Sequence, residues 1–292
     1  MYEFHIITTS SHVDELTDQL TLLGAAAVTW QDAGDQPIYE PKPAEIIHWE
    51  AVKIIALFET DELLPQIEDY LHRLQEQRYL SQFELQEVQQ QDWVRLTRES
   101  FVPTKMGKRL WVCPSWCEPI DANAINVMLD PGLAFGTGSH ATTSLCLEWL
   151  DEHIHGGETV IDYGCGSGIL AIAALKLGAA HAIAVDYDQQ ALDATRMNAD
   201  LNHLSDTQIV ICLPEAIVTH PVDVIVANIL AKPIIELAKH FSTLLKPNGK
   251  IALSGILESQ CDEVMQVYQQ FFVIDPVVIK DGWACISGRR NR

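Results

Sequence analysis

The chain has 292 residues, with 19 Lys and Arg against 40 Asp and Glu and a formal net charge of −21. That balance excludes a simple nucleic-acid binder, because a polyanion is repelled unless a local basic patch overcomes the field. Hydrophobic residues at 48% and charged residues at 20% exclude wholesale disorder and supply material for a packed core.

Taken in chain order, Tyr2–Thr8 alternates like a strand, and Asp14, Leu16, Leu20, Leu22 and Leu23 lie in a helical stretch that ends at Gly24. Ala26–Gln31 and Trp49–Phe58 read as strands. Asp61–Gln77 has apolar residues at 63, 64, 67, 71 and 74, which is helical spacing, and Phe83–Val88 reads as a last strand. The order β-α-β-β-α-β predicts a small ferredoxin-like α+β sandwich. The run Gln31–Ile46, with Gly34, Pro37, Pro41 and Pro43, reads as an exposed connection. Gln89–Gly107 reads as a linker or bridging helix.

Beyond it, Leu110–Pro114 and Asn126–Leu129 are strand-like. Thr142–Leu150 is helical, Thr159–Asp162 is a short apolar strand, and Ile169–Leu177 is a helix of small residues. The alternation continues with strands at Ala182–Asp186, Ile209–Cys212, Val222–Ala227 and Lys250–Leu253. The helices between and after them are Gln189–Asn202, Pro233–Leu245 and Leu257–Phe271, the last with Cys261, Met265, Tyr268 and Phe271 on one face. Val273–Ile279 and Trp283–Ser287 close as a hairpin around Asp281-Gly282. Alternating helices and continuously apolar strands predict a parallel sheet covered on both faces. Charge divides the chain in the same way: residues 1–95 hold 18 acids and 5 bases, a balance of −13, and the rest hold −8.

No run of about 18 uncharged residues marks a membrane span. The opening Met1-Tyr2-Glu3-Phe4-His5 lacks the basic and apolar regions of a secretory signal, so a cytoplasmic location is expected. The seven cysteines are odd in number and widely spaced, as for ordinary buried thiols. The close pair Cys113 and Cys117 lacks two further ligands at zinc spacing, so no metal is expected.

The chemistry concentrates in Val160–Gly168, a strand followed by Asp162-Tyr163-Gly164-Cys165-Gly166-Ser167-Gly168 and a helix. Glycines there let a ligand approach the backbone closely. Counted from Gly164, a dinucleotide fingerprint requires glycine at 169, where the chain has Ile. The spacing is instead DxGxGxG, the shape expected for S-adenosylmethionine, which has no pyrophosphate to seat. Asp186 ends the next strand, where a carboxylate can accept both hydroxyls of a ribose. Its alternative role is a helix N-cap, for which Asp188 is better placed. Asn228 ends a later apolar strand and can either accept a hydrogen bond from an amine or cap a helix; position alone does not separate the two. In Asp130–Thr143, Gly136 and Gly138 suit an anion nest or a tight loop. Thr142 or Thr143 suits a helix cap or a ligand carboxylate, and His140 a general base or a structural role.

The Asp130–Thr143 run, the Asp162–Gly168 loop, Asp186 and Asn228-Ile229-Leu230 together resemble, in order and spacing, the family of ribosomal protein L-eleven (L11) methyltransferases. Ser139-His140-Ala141 departs from the family's usual Thr-His-Pro. The resemblance covers the whole chain. It implies an α/β class I methyltransferase domain, with a Rossmann-like doubly wound sheet, over 109–292. It implies a linker over 93–108 and a substrate-recognition domain over 1–92. It implies methyl transfer from S-adenosylmethionine to lysine ε-amines and the N-terminal α-amine of L11, to the trimethyl state. The cofactor contacts implied are Thr143, Gly164, Asp186 and Asn228, with Phe135 close by; Asp162, Gly166 and Gly168 join them from the loop, and Asn228 is the catalytic candidate. The expected partner is L11 free of the ribosome, met by a monomer without nucleic acid or membrane. The competing readings are a methyltransferase for another protein or a small-molecule amine, and a cofactor-binding interaction module without catalysis.

Overall fold

The computed structural model describes residues 1–34, 49–87, 101–121, 123–130, 140–217 and 220–291. The chain divides into two compact units, Met1–Leu96 and Thr97–Arg292.

In the first unit, β1 (Tyr2–Thr9), α1 (Val13–Leu22), β2 (Ala27–Asp32), β3 (Ala51–Phe58), α2 (Leu64–Glu76) and β4 (Leu80–Glu87) follow in the expected order of elements. The strands form an antiparallel sheet ordered β2-β3-β1-β4. Alternation along β1 and β3 sends Phe4, Ile6, Val52, Ile54 and Ala56 to one face. There they meet Val13, Leu16 and Leu20 of α1 and Ile67 and Leu71 of α2, at the i, i+3, i+4, i+7 spacing that keeps a stripe on one side of a helix. β4 starts three residues earlier than its alternation predicts. A bulge places Leu80 opposite Thr8 and Gln82 opposite Ile7, so Leu80 and Phe83 both turn inward although three apart, which hides the period of two. Asp32, read as part of a connection, extends β2 by one residue beyond Gln31; residues 35–46 of that run lie outside the described residues.

The second unit opens with a small sheet of β5 (Thr104–Met106), β6 (Leu110–Pro114) and β7 (Ile125–Leu129). The predicted linker therefore ends in a strand, Thr104–Met106, too short to show a period; residues 88–100 lie outside the described residues. Asp151 of α3 (Ala141–His153) is buried and accepts hydrogen bonds from the Lys108 amide at 2.7 Å and Arg109 Nε at 3.1 Å, which ties the small sheet to the main body.

The main sheet contains β8 (Thr159–Tyr163), β9 (His181–Val185), β10 (Ile209–Cys212), β11 (Val222–Asn228), β12 (Leu245–Leu257) and β13 (Phe272–Ile274). With β14 (Val278–Lys280) and β15 (Trp283–Arg290), the order is β10-β9-β8-β11-β12-β15-β13, and β14 pairs with β15. Strands β8 to β12 are parallel and β15 runs against them. Val160, Val224 and Val226 face α3, α4 (Ile169–Lys176) and α5 (Gln189–Leu201). Ile161, Ile225 and Ala227 face α6 (Ala231–Leu244) and α7 (Cys261–Tyr268). Burial on both faces is why these strands read as continuous apolar runs. The single strand expected over Val273–Ile279 is two, β13 and β14, broken at Asp275-Pro276-Val277, where Pro276 has no N–H for a ladder. The hairpin from β14 to β15 turns on Asp281 and Gly282, with φ of 51° and 76°, the doubly left-handed turn expected of Asp-Gly.

Candidate functional site

Strand order reverses at β8, which has β9 on one side and β11 on the other. The connections from these strands diverge there and leave a crevice at the carboxyl ends of the sheet. A cavity of about 760 Å³ lies at this point, within the range that encloses a small organic ligand.

Of the cofactor contacts expected from the sequence, Thr143, Gly164, Gly166, Asp186 and Asn228 line it, and so do His140 and Thr142. Gly164, Gly166 and Gly168 have φ of 80°, 53° and 79°, a left-handed path that only glycine follows without strain. A Cβ on Gly164 would also fall 2.2 Å from the Ile229 side chain. Asp186, 8% exposed, accepts the Gly166 N–H at 3.0 Å on one oxygen and the Asp188 N–H at 3.1 Å on the other. A carboxylate has about four acceptor sites, so this fixed carboxylate retains capacity for ligand hydroxyls. Asp188 is the α5 N-cap and accepts from the Gln190 N–H. Asn228 is not a cap: the N-cap of α6 is Leu230. Its Nδ2 donates to the buried Thr143 hydroxyl at 3.2 Å, which leaves the amide oxygen as an acceptor.

Asp162 and Gly168 are not among the lining residues. Asp162 points from β8 into the fully buried layer and accepts the Ala171 N–H at 2.9 Å. It thereby caps the first turn of α4, whose own N-cap, Gly168, has no side chain. Its other oxygen has no hydrogen-bond partner among the described residues. Burial pushes its carboxyl up to about 7; the Ala171 amide opposes that rise and the nearby Asp186 carboxylate adds to it. Phe135, Gly136 and Gly138 lie outside the described residues. His140 is the N-cap of α3, with Nδ1 2.8 Å from the Thr142 hydroxyl and its ring edge-on to Trp283 at 5.1 Å.

The cavity also contains residues that the sequence reading passed over. Gly255 lies in β12 with φ of 83°, where a Cβ would strike the Ile229 carbonyl; an isolated glycine inside an apolar strand is a readable signal of such a close approach. Trp283 lines the cavity because β15 is antiparallel and starts at the end where its neighbours finish. Tyr187, next to Asp186, is 86% exposed and also lines the cavity.

The sequence profile described as "Ribosomal protein L11 methyltransferase (PrmA)" matches residues 1–291. A ribosomal protein L11 methyltransferase of Histophilus somni (strain 129Pt) is 44% identical over 292 residues, covering 99% of this chain and 98% of that one. One from Pseudomonas putida (strain GB-1) is 48% identical over 274 residues, 94% of each. The crystal structure of a ribosomal protein L11 methylase from Lactobacillus delbrueckii subsp. bulgaricus superposes with a TM-score of 0.60 at 33% identity, covering 66% of this chain and all of that one. The fold is thus that of the class I methyltransferases, and the chain belongs to the ribosomal protein L11 methyltransferase (PrmA) family.

Proposed function

We propose that this protein transfers methyl groups from S-adenosylmethionine to amines of ribosomal protein L11. The observation that carries the reading is the convergence of Asp186, the Gly164–Gly166 backbone and the Thr143-held Asn228 on one cavity, in a chain matched over 1–291 by that family. The cavity fits the donor: side chains at Gly164 or Gly255 would close it, and Asp186 suits a ribose. Bound there, S-adenosylmethionine supplies an electrophilic methyl group on a cationic sulfur.

The chain's own part is positioning. The Asn228 amide oxygen accepts an N–H from the incoming primary or secondary amine and aims its lone pair; the dimethylamine of the last transfer has no N–H and is placed by the apolar wall alone. A lysine must first lose a proton from a group with a pKa of about 10.4, and the apolar wall of Ile229, Leu230 and Pro233 favours the neutral amine. His140 uses Nδ1 for the α3 cap, and we assign the proton to water. Leu230 is half exposed at this wall, and the aliphatic pair Ile229-Leu230 leaves room for an ammonium that grows, which supports trimethylation of lysine ε-amines and the N-terminal α-amine.

The first unit, with −13 of the charge, serves as the recognition domain for a cationic protein. We place the reaction in the cytoplasm, on L11 free of the ribosome, with a monomeric enzyme that makes no direct nucleic-acid contact.

Incubation of the enzyme and labelled S-adenosylmethionine with total ribosomal protein tests all of this. The expected result is a single labelled band at L11, with intact-mass spectrometry showing three methyl groups per modified amine. Label on other proteins, or products that stop at one methyl, would overturn the substrate or the multiplicity respectively.

A further inference from the structure

Beside the apolar Ala191, Leu192 and Ala199, α5 and its C-cap Asn202 bury polar side chains where a packed helix is ordinarily apolar. Thr195, Asn198 and Asn202 are at most 3% exposed, and a buried polar group is costly unless it is hydrogen-bonded. The partners of the first two lie in the cofactor loop. Thr195 Oγ1 donates to the Gly166 carbonyl at 3.0 Å, and Asn198 Nδ2 donates to the Ser167 carbonyl at 2.9 Å. Asn198 Oδ1 also accepts the Asp130 N–H at 2.9 Å, at the end of β7. Gly166 is therefore held from two directions, its carbonyl by Thr195 and its N–H by Asp186. The Thr195 side chain also fills the space beside Gly168, 2.7 Å from where a Cβ would stand. Asn202 is different. It accepts the Met128 N–H at 2.9 Å and donates to the Met128 and Asn198 carbonyls, with no hydrogen bond to the loop.

We propose that Thr195 and Asn198 are positioning residues for methyl-donor binding, holding two consecutive loop carbonyls from behind so that Gly166 and Asp186 keep their places in the cavity. This rests on the reading that the cavity takes S-adenosylmethionine, which titration of the wild-type protein tests separately.

The experiment compares Thr195→Val, Thr195→Ser, Asn198→Ala and Asn202→Ala by calorimetric titration with S-adenosylmethionine, steady-state kinetics on L11 and thermal unfolding. Thr195→Val and Asn198→Ala are expected to weaken donor affinity and raise its KM about tenfold, the scale of one lost buried hydrogen bond, with kcat within about twofold. Thr195→Ser keeps the hydroxyl and restores wild-type affinity. Asn202→Ala lowers Tm and leaves donor affinity unchanged. Wild-type affinity in Thr195→Val, or an Asn202→Ala that weakens binding as much as Asn198→Ala, would overturn the assignment. Thr195→Val keeps the shape and loses the hydroxyl, and Thr195→Ser keeps the hydroxyl and loses a methyl, so the two decide the matter even where Asn198→Ala folds poorly.

Discussion

The two units use burial differently. Among the described residues of the first, Thr8 is the one buried polar side chain; in the second there are Thr142, Thr143, Asp151, Asp162, Asp186, Thr195, Asn198 and others. The first unit keeps its polarity outside: its 96 residues carry −13, whereas the 196 of the second carry −8. A buried polar group costs stability unless paired, so a fold that accumulates them is holding something in place. In the second unit Thr143, Asp162, Asp186, Thr195 and Asn198 surround or support the cavity. Under the proposed function, surface charge in one unit suits capture of a cationic partner, and internal hydrogen bonding in the other suits a reaction site.

The largest expected effect breaks this comparison outright. Deleting residues 1–96 should abolish methylation of L11 while calorimetric titration still shows S-adenosylmethionine binding, because the second unit has its own two cores. A truncated protein that methylates L11 as well as the full chain would end the division of roles.

The next effect sharpens the account of buried polarity. Asp162 in the folded chain is held up to about 7 from 3.8. Between about pH 4 and 7 the folded state keeps a proton that the unfolded state has released. The Asp162 contribution is therefore fully present below about pH 4 and is lost as pH rises through 7, by up to about 1.4 kcal/mol per pH unit. Urea unfolding of wild type and Asp162→Asn at pH 5 and pH 8 should show wild type losing on the order of 2 kcal/mol relative to the variant over that interval. An unchanged difference would mean that the carboxyl titrates as if exposed.

The smallest effect concerns the charge of the first unit. Raising salt from about 50 to 300 mM shortens the screening length from about 14 to about 6 Å, which damps attraction between exposed charges. The KM for L11 should rise a few-fold, with the KM for S-adenosylmethionine nearly flat. A KM for L11 indifferent to salt would remove charge from the recognition step.

Much of this molecule is legible in the residues themselves. Periodicity located most strands and helices of both units to within a few residues, because each unit has faces that must be apolar; β12, expected over Lys250–Leu253, runs Leu245–Leu257. The loop Asp162–Gly168, Asp186 and Asn228 stood out because glycine spacing and strand-end polarity are local signals. The misses have local causes of another kind: a bulge at Ser81 that conceals alternation in β4, a proline that divides β13 from β14, and a strand of three residues, Thr104–Met106, with no period to read.

Tertiary structure alone decided the roles within the site. Chain order shows that Asp162 precedes the glycines but not that it faces inward to cap α4 while Asp186 faces the cavity. It could not separate an Asn228 that caps a helix from one held by Thr143, 85 positions away. Nor could it bring Trp283 to the cavity or assign Thr195 and Asn198 to the loop. The reason is physical: backbone preferences and burial patterns act over a few residues, and composition and periodicity record them. A hydrogen-bond partner is chosen by which strands lie side by side, and that order is set by the packing of the whole sheet.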